Sequence, residues 1–354
     1  MGRGTRVLQA LALTLGGLLL PVLVLELWLR VAGAPDEVAL GPDFDRPDVL
    51  YSWQRGRANP WLGATGADGE VFRLAVIGDS FTAGQGVHWD DAYPARLERW
   101  LNYNEGVPPV DVLVYAREGT STREQLRFLD RALAAEPDLV LLGLFLNDPE
   151  RPGDPELAAW RDRLVPQPPT GLTARLCRLS RAAAWIHARW ERVRATRAGM
   201  AYYHYLYSPQ SSGWRPFVEA LEIFAARCRQ ENVPLGIVIF PGMGYLGPDY
   251  PHDFAHEALH GILEPLGVPT LDLLPTFADK NPTRMATLPG VDHHPTEIAH
   301  RLAAETVLEW LLEERLLPAS YRPVESDGGQ HEQWRQRVER LSAPPDGDDG
   351  PTPR

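Results

Sequence analysis

Between Phe72 and Leu316 the chain alternates short apolar runs with stretches whose apolar residues recur every three or four positions. That rhythm predicts βαβ units on a parallel sheet. Five runs qualify as strands: Phe72 to Ile77, Val110 to Tyr115, Leu139 to Leu146, Leu235 to Phe240 and Val268 to Leu273. Each is β-branched or leucine-rich along its length, as burial on both faces requires. Helical spacing follows over Tyr93 to Leu101, Thr122 to Ala135, Trp214 to Gln230, Phe254 to Leu266 and Pro295 to Leu316. The last opens with proline at a helix-start position.

The N-terminal pattern is different. Val7 to Leu25 is apolar apart from Gln9 and Thr14 and follows Arg3 and Arg6. Its length is close to the ~20 residues of a transmembrane helix. The positive flank predicts a cytosolic N-terminus and an extracytoplasmic body. Val31-Ala32-Gly33-Ala34 resembles a cleavage site, but Glu26, Trp28 and Arg30 intrude before it, which favours an uncleaved anchor over a cleaved, secreted form. The expected organisation is an anchor or signal segment over 1–34, a linker over 35–70, a body over 71–318 and a mostly disordered tail over 319–354. Within the body, 149–212 breaks the rhythm with many Arg and Trp residues, Pro166 to Pro169 and the cluster Tyr202, Tyr203, His204, Tyr205 and Tyr207. It reads as a partly helical insertion leaving the end of the third strand, either a lid over a site or a packing elaboration.

Composition narrows the function. A net charge of −12 and a hydrophobic fraction of 44% fit a folded acidic body with no basic field for nucleic acid. Cys177 and Cys228 supply neither a disulfide framework nor a cysteine metal site, and the sequence leaves open whether they pair.

Chemistry-bearing residues fall at strand ends. Gly78-Asp79-Ser80 follows the first strand, where a serine leaves the sheet at a tight turn beside backbone N–H groups. Gly119 lies past the second strand and can offer its N–H to a ligand. Asn147 ends the third strand and carries an amide donor. Asp292-His293-His294-Pro295 sits in a loop before the last helix. A serine nucleophile needs a base, and a carboxylate two positions before a histidine in extended chain can hold its imidazole from the same side. His252, His256 and His260 recur every four residues beside Glu257, a stripe read as a solvated helix face rather than a zinc site.

In this order and at these places, the four motifs resemble the SGNH hydrolases, also called GDSL esterases and lipases, over most of Phe72 to Leu312. The resemblance implies a three-layer αβα sandwich with a five-stranded parallel sheet. It implies Ser80 as nucleophile, His294 as base and Asp292 as its orienting carboxylate. Ser80, Gly119 and Asn147 would form the oxyanion hole, with no metal or cofactor. One departure stands out: Val114-Tyr115-Ala116-Arg117-Glu118-Gly119 keeps the final glycine of the family's Asn-x-Gly-x-x-Gly pattern but neither the Asn nor the first Gly.

The expectation is an extracytoplasmic serine esterase cleaving O-acyl or O-acetyl esters of a carbohydrate or lipid, attached to the membrane through its N-terminal helix, with no nucleic-acid partner. Two alternatives use the same residues: an O-acyltransferase modifying an exported glycan, and a silent binding module. Retention of Ser80, Asn147, Asp292 and His294 together argues against the silent module.

Overall fold

The computed structural model describes residues 17, 19–31, 71–102, 107–164, 166–288 and 292–321. They fall into two compact units, one of residues 71–154 with 203–321, the other of residues 155–202 with the described N-terminal residues. The expected linker over 35–70, the tail beyond 321, Ala32 to Ala34 and most of the apolar run lie outside the described residues. Among the described residues no helix is long and apolar enough to cross a membrane.

The larger unit is built on five parallel strands, β1 (Phe72–Gly78), β2 (Val110–Ala116), β3 (Leu139–Phe145), β4 (Leu235–Phe240) and β5 (Thr270–Asp272), in the order β2-β1-β3-β4-β5. Every residue of β2, β3 and β4 is buried, so both faces of the sheet are covered. The register sets Ile77 of β1 beside Tyr115 of β2 and Leu142 of β3. The predicted fifth strand, at the edge of the sheet, shortens to three half-buried residues, although Leu273 N still donates to Ile239 O at 3.0 Å.

Among the described residues, beyond a helix over 19–31, the helices are α1 (Tyr93–Leu101), α2 (Thr122–Leu133), α3 (Pro155–Leu164), α4 (Gly171–Leu179), α5 (Arg181–Leu206), α6 (Trp214–Gln230), α7 (Asp253–Leu263) and α8 (Glu297–Glu313), with several single turns. In the larger unit α1 packs with α8 and α2 with α6, and the buried strands between them give the αβα layering that the family resemblance implies. Caps set the helix starts: Ser121 N donates to Glu124 Oε2 at 3.1 Å ahead of α2, and Ala299 N donates to Thr296 Oγ1 at 3.3 Å in α8. The start expected at Pro295 is therefore corrected. Thr296 caps the helix, and Pro295 ends a short strand, β7 (Asp292–Pro295), that pairs antiparallel with β6 (Ala286–Leu288).

The smaller unit is helical. The insertion contributes α3, α4 and most of α5, while its ends, 149–154 and 203–212, belong to the larger unit. The helix over 19–31 is tied to the α4–α5 elbow by polar residues. Glu26 accepts from Ser180 Oγ at 2.7 Å and Ala182 N at 2.8 Å, a carboxylate at a helix N-terminus, and Arg181 donates to Leu29 O at 2.9 Å. Both cysteines are free thiols, Cys177 in this unit and Cys228 in the other, so no bridge joins them.

Candidate active site

Gly78 ends β1, and Asp79 caps the single helical turn Ser80–Ala83 by accepting from Phe81 N at 2.9 Å. The turn closes at Gly84 in the left-handed region (φ 75°). It lies tight on the sheet, since a Cβ at Gly78 would come within 2.1 Å of Thr82 Oγ1 and one at Gly143 within 2.5 Å of the same atom. The two glycines thus let Thr82 settle across β1 and β3, where its hydroxyl meets Tyr93 OH at 3.1 Å. Phe81 stacks on Phe145 at 3.8 Å and meets the edge of Phe240 at 5.8 Å. Ser80 is held by packing on both sides of its turn.

Strand geometry aims the histidine. Residues two apart on β7 share a side, so Asp292 and His294 project together and His293 projects the other way. His294 Nδ1 lies 2.5 Å from Asp292 Oδ1, its backbone N donates to the same oxygen at 3.0 Å, and its Nε2 lies 2.8 Å from Ser80 Oγ. Burial alone would raise the Asp292 carboxyl, but hydrogen bonds from the His294 ring and backbone, with the ring's charge, hold it below the usual carboxylate value. His293 stacks on Tyr245 at 4.3 Å against Gly244, and burial lowers its pKa. The motif expected in a loop is a hairpin strand, and that strand separates the roles open to the two adjacent histidines.

Gly119 follows β2 and Asn147 follows β3, the two strands that flank β1. Parallel neighbours lie about 4.8 Å apart, so both residues lie at the sheet end from which Ser80 emerges. Gly119 is exposed with φ 68°, a conformation that suits glycine, and a Cβ there would meet nothing within 4 Å. The turn after β3 is fixed by Asp148, which is buried and accepts from Phe145 N at 2.7 Å and Gln125 Nε2 at 3.1 Å.

Asp79 and Asp148 were not singled out by the sequence, although each adjoins a residue that was. Burial is the first cause that raises Asp79, to about 6, against the opposing effects of Phe81 N–H and His294. Burial and then the charge of Asp79 raise Asp148 well above the usual carboxylate value. Two buried carboxyls behind the serine turn repel one another and resist ionising together.

The histidine stripe is corrected as well. His252 and His256 are buried, and only His260 is exposed. Asp272 of β5 takes His256 Nδ1 at 2.9 Å and His260 Nε2 at 3.0 Å, so the stripe faces the sheet. His252 sits among Tyr203 at 4.5 Å, Tyr245 at 4.8 Å and Tyr250 at 5.7 Å, with both ring nitrogens unpartnered. Burial lowers its pKa to about 4. Part of the aromatic cluster within the predicted insertion packs here: His204 stacks on Phe254 at 3.9 Å, and Tyr207 lies 5.3 Å from Trp214. Among the described residues no group of three or more His, Cys, Asp or Glu side chains is placed to hold a metal ion.

The family model of GDSL-like lipases and acylhydrolases matches residues 76–302. The chain belongs to this family. As a GDSL-like acylhydrolase it is a serine hydrolase acting on ester bonds. Among solved structures, it is similar to TesA (18% identity, 69% of this chain and 99% of that chain, TM-score 0.43). It is also similar to Axe2, an acetylxylan esterase from Geobacillus stearothermophilus (14% identity, 71% and 96%, TM-score 0.46). A third is the esterase EstA from Pseudoalteromonas sp. (14% identity, 69% and 98%, TM-score 0.39). No curated protein matches the chain.

Proposed function

We propose that this GDSL-like enzyme hydrolyses O-acyl or O-acetyl esters through an acyl-enzyme on Ser80. The observation that carries the reading is the unbroken hydrogen-bonded chain from Ser80 Oγ through His294 to Asp292. His294 Nε2 takes the hydroxyl proton as Ser80 Oγ attacks the acyl carbonyl carbon, and Asp292 fixes the ring with Nδ1 protonated. The N–H groups of Ser80 and Gly119 and the side-chain amide of Asn147 receive the oxyanion, a role supported by their common sheet end. The imidazolium then protonates the departing alcohol oxygen. Water, deprotonated by the same ring, attacks the acyl carbon, and the proton returns to Ser80 as the acid leaves.

The enzyme is read as anchored by its N-terminal segment with the catalytic unit outside the cytoplasm. The apolar run Val7 to Leu25 behind Arg3 and Arg6 supports this. Retention of the full chain in membranes after alkaline extraction is the expected result, and release into the supernatant would exclude the anchor.

The chemistry is tested on the full chain in detergent with p-nitrophenyl esters of increasing acyl length and with a fluorophosphonate probe. The expected result is a stoichiometric adduct on the peptide carrying Ser80, together with turnover that Ser80→Ala removes. A folded protein labelled at another residue, or turnover that persists in Ser80→Ala, would overturn the reading.

A further inference from the structure

In the smaller unit, α4 carries Leu172, Leu176 and Leu179 at positions i, i+4 and i+7, on a single stripe of the helix. A stripe at this spacing ordinarily faces a core, yet Leu172 is 74% exposed and Leu179 76%. The first turns of α5 repeat the anomaly, with Trp185, Ile186 and Trp190 exposed. So does the helix over 19–31, where Leu23, Leu27 and Trp28 are exposed. Isolated exposed apolar residues are ordinary, but exposure of large apolar residues on three helices of one unit needs a reason.

Charge indicates the occupant. The chain carries −12 overall, yet Gly171 to Met200 holds seven arginines and one acid, Glu191. Arg175 and Arg178 flank the leucine stripe, and Arg189 and Arg192 lie on the exposed arc of α5 with the tryptophans. Cationic side chains beside an apolar stripe, with Trp near the boundary, match a bilayer interface with anionic headgroups.

Position agrees with charge. The apolar run Val7 to Leu25 ends at Glu26, and Glu26 is the residue hydrogen-bonded to Ser180 Oγ and Ala182 N at the α4–α5 elbow. Arg30 donates to Leu179 O at 3.3 Å and Arg181 to Leu29 O, closing the same joint. The elbow is therefore fastened at the end of the chain's most lipid-like segment.

We infer that α4 and the first turns of α5 form an interfacial membrane-docking element. The leucine stripe enters the headgroup–acyl boundary of an anionic phospholipid bilayer, and the flanking arginines pair with its phosphates. This goes beyond ester hydrolysis and is separable from the anchor, which alkaline extraction reads alone.

The test uses the full chain reconstituted in vesicles. Leu176→Cys carries an environment-sensitive nitrobenzoxadiazole label in a Cys177→Ser background; Cys228 is buried and stays unlabelled. Expected are blue-shifted emission and quenching by spin-labelled lipid in phosphatidylglycerol vesicles, both weaker in phosphatidylcholine. Arg175→Glu with Arg178→Glu should remove that lipid preference while ester turnover in detergent is retained. Emission as water-like as from a label at Glu219→Cys on α6 would overturn the inference. So would a shift that follows protein concentration rather than lipid, which would assign the face to a second copy of the chain.

Discussion

His294 Nε2 lies 2.8 Å from Ser80 Oγ across 214 positions of sequence, while the adjacent His293 faces Tyr245 on the other side of the same strand. Ser80→Ala and His294→Ala are each expected to lower kcat by roughly 10⁴-fold or more with near-ultraviolet dichroism unchanged. His293→Ala should cost less than about tenfold in kcat, since its ring lies away from the hydroxyl. Parity between the two histidine variants in a p-nitrophenyl ester assay would refute the assignment of the base.

Asp292→Asn keeps the shape of the carboxylate but places an NH₂ group or a neutral oxygen where a charged acceptor now holds His294 Nδ1 at 2.5 Å. The expected loss in kcat is on the order of 10³ to 10⁴ with little change in KM, because the orienting charge matters most when the ring becomes imidazolium. A steady-state comparison at pH 8 reads this directly, and a loss confined to KM would count against the role.

For the oxyanion hole, Asn147→Ala is expected to lower kcat about 10² to 10³-fold and leave KM within a few fold. Thermal melting of the variant should match the parent, because Asp148 rather than Asn147 holds the turn through Phe145 N and Gln125. Unchanged kcat would remove Asn147 from the hole.

Much of this was legible beforehand because apolar runs and the motifs at their ends are local signals. β4, α1 and α6 have the limits that the pattern predicts. The misreadings were those in which distant partners decide. The stripe of His252, His256 and His260 looks solvated until β5 brings Asp272 beneath it. Pro295 looks like a helix start until β6 pairs with its segment and Thr296 takes the cap. Asp79 and Asp148 were hidden because nothing in the sequence announces that two polar residues beside strand ends are buried near one another. That nearness depends on β1 lying beside β3, which periodicity does not contain.

His252 supplies a pH test. Its pKa of about 4 in the fold, against an ordinary 6.5, means that the unfolded chain binds the extra proton between those values. Stability is therefore full above pH 6.5 and falls as the pH drops toward 4, by about 3 kcal/mol. His252→Phe keeps a ring among Tyr203, Tyr245 and Tyr250 and leaves no unpartnered nitrogen. The variant is expected to melt higher and to lose less stability over that interval in urea unfolding. An acid loss equal to the parent's would place its source elsewhere.

The hairpin that carries Asp292 and His294 lies far along the chain from the turn that carries Ser80. During synthesis Ser80, Gly119, Asn147 and all five strands of the parallel sheet leave the ribosome before Asp292 and His294, the proposed orienting carboxylate and base. A nascent or C-terminally truncated chain can thus possess its sheet and its serine yet stay inert toward esters. On the proposed assignment, a competent triad requires the segment that pairs β7 with β6 and caps α8 at Thr296.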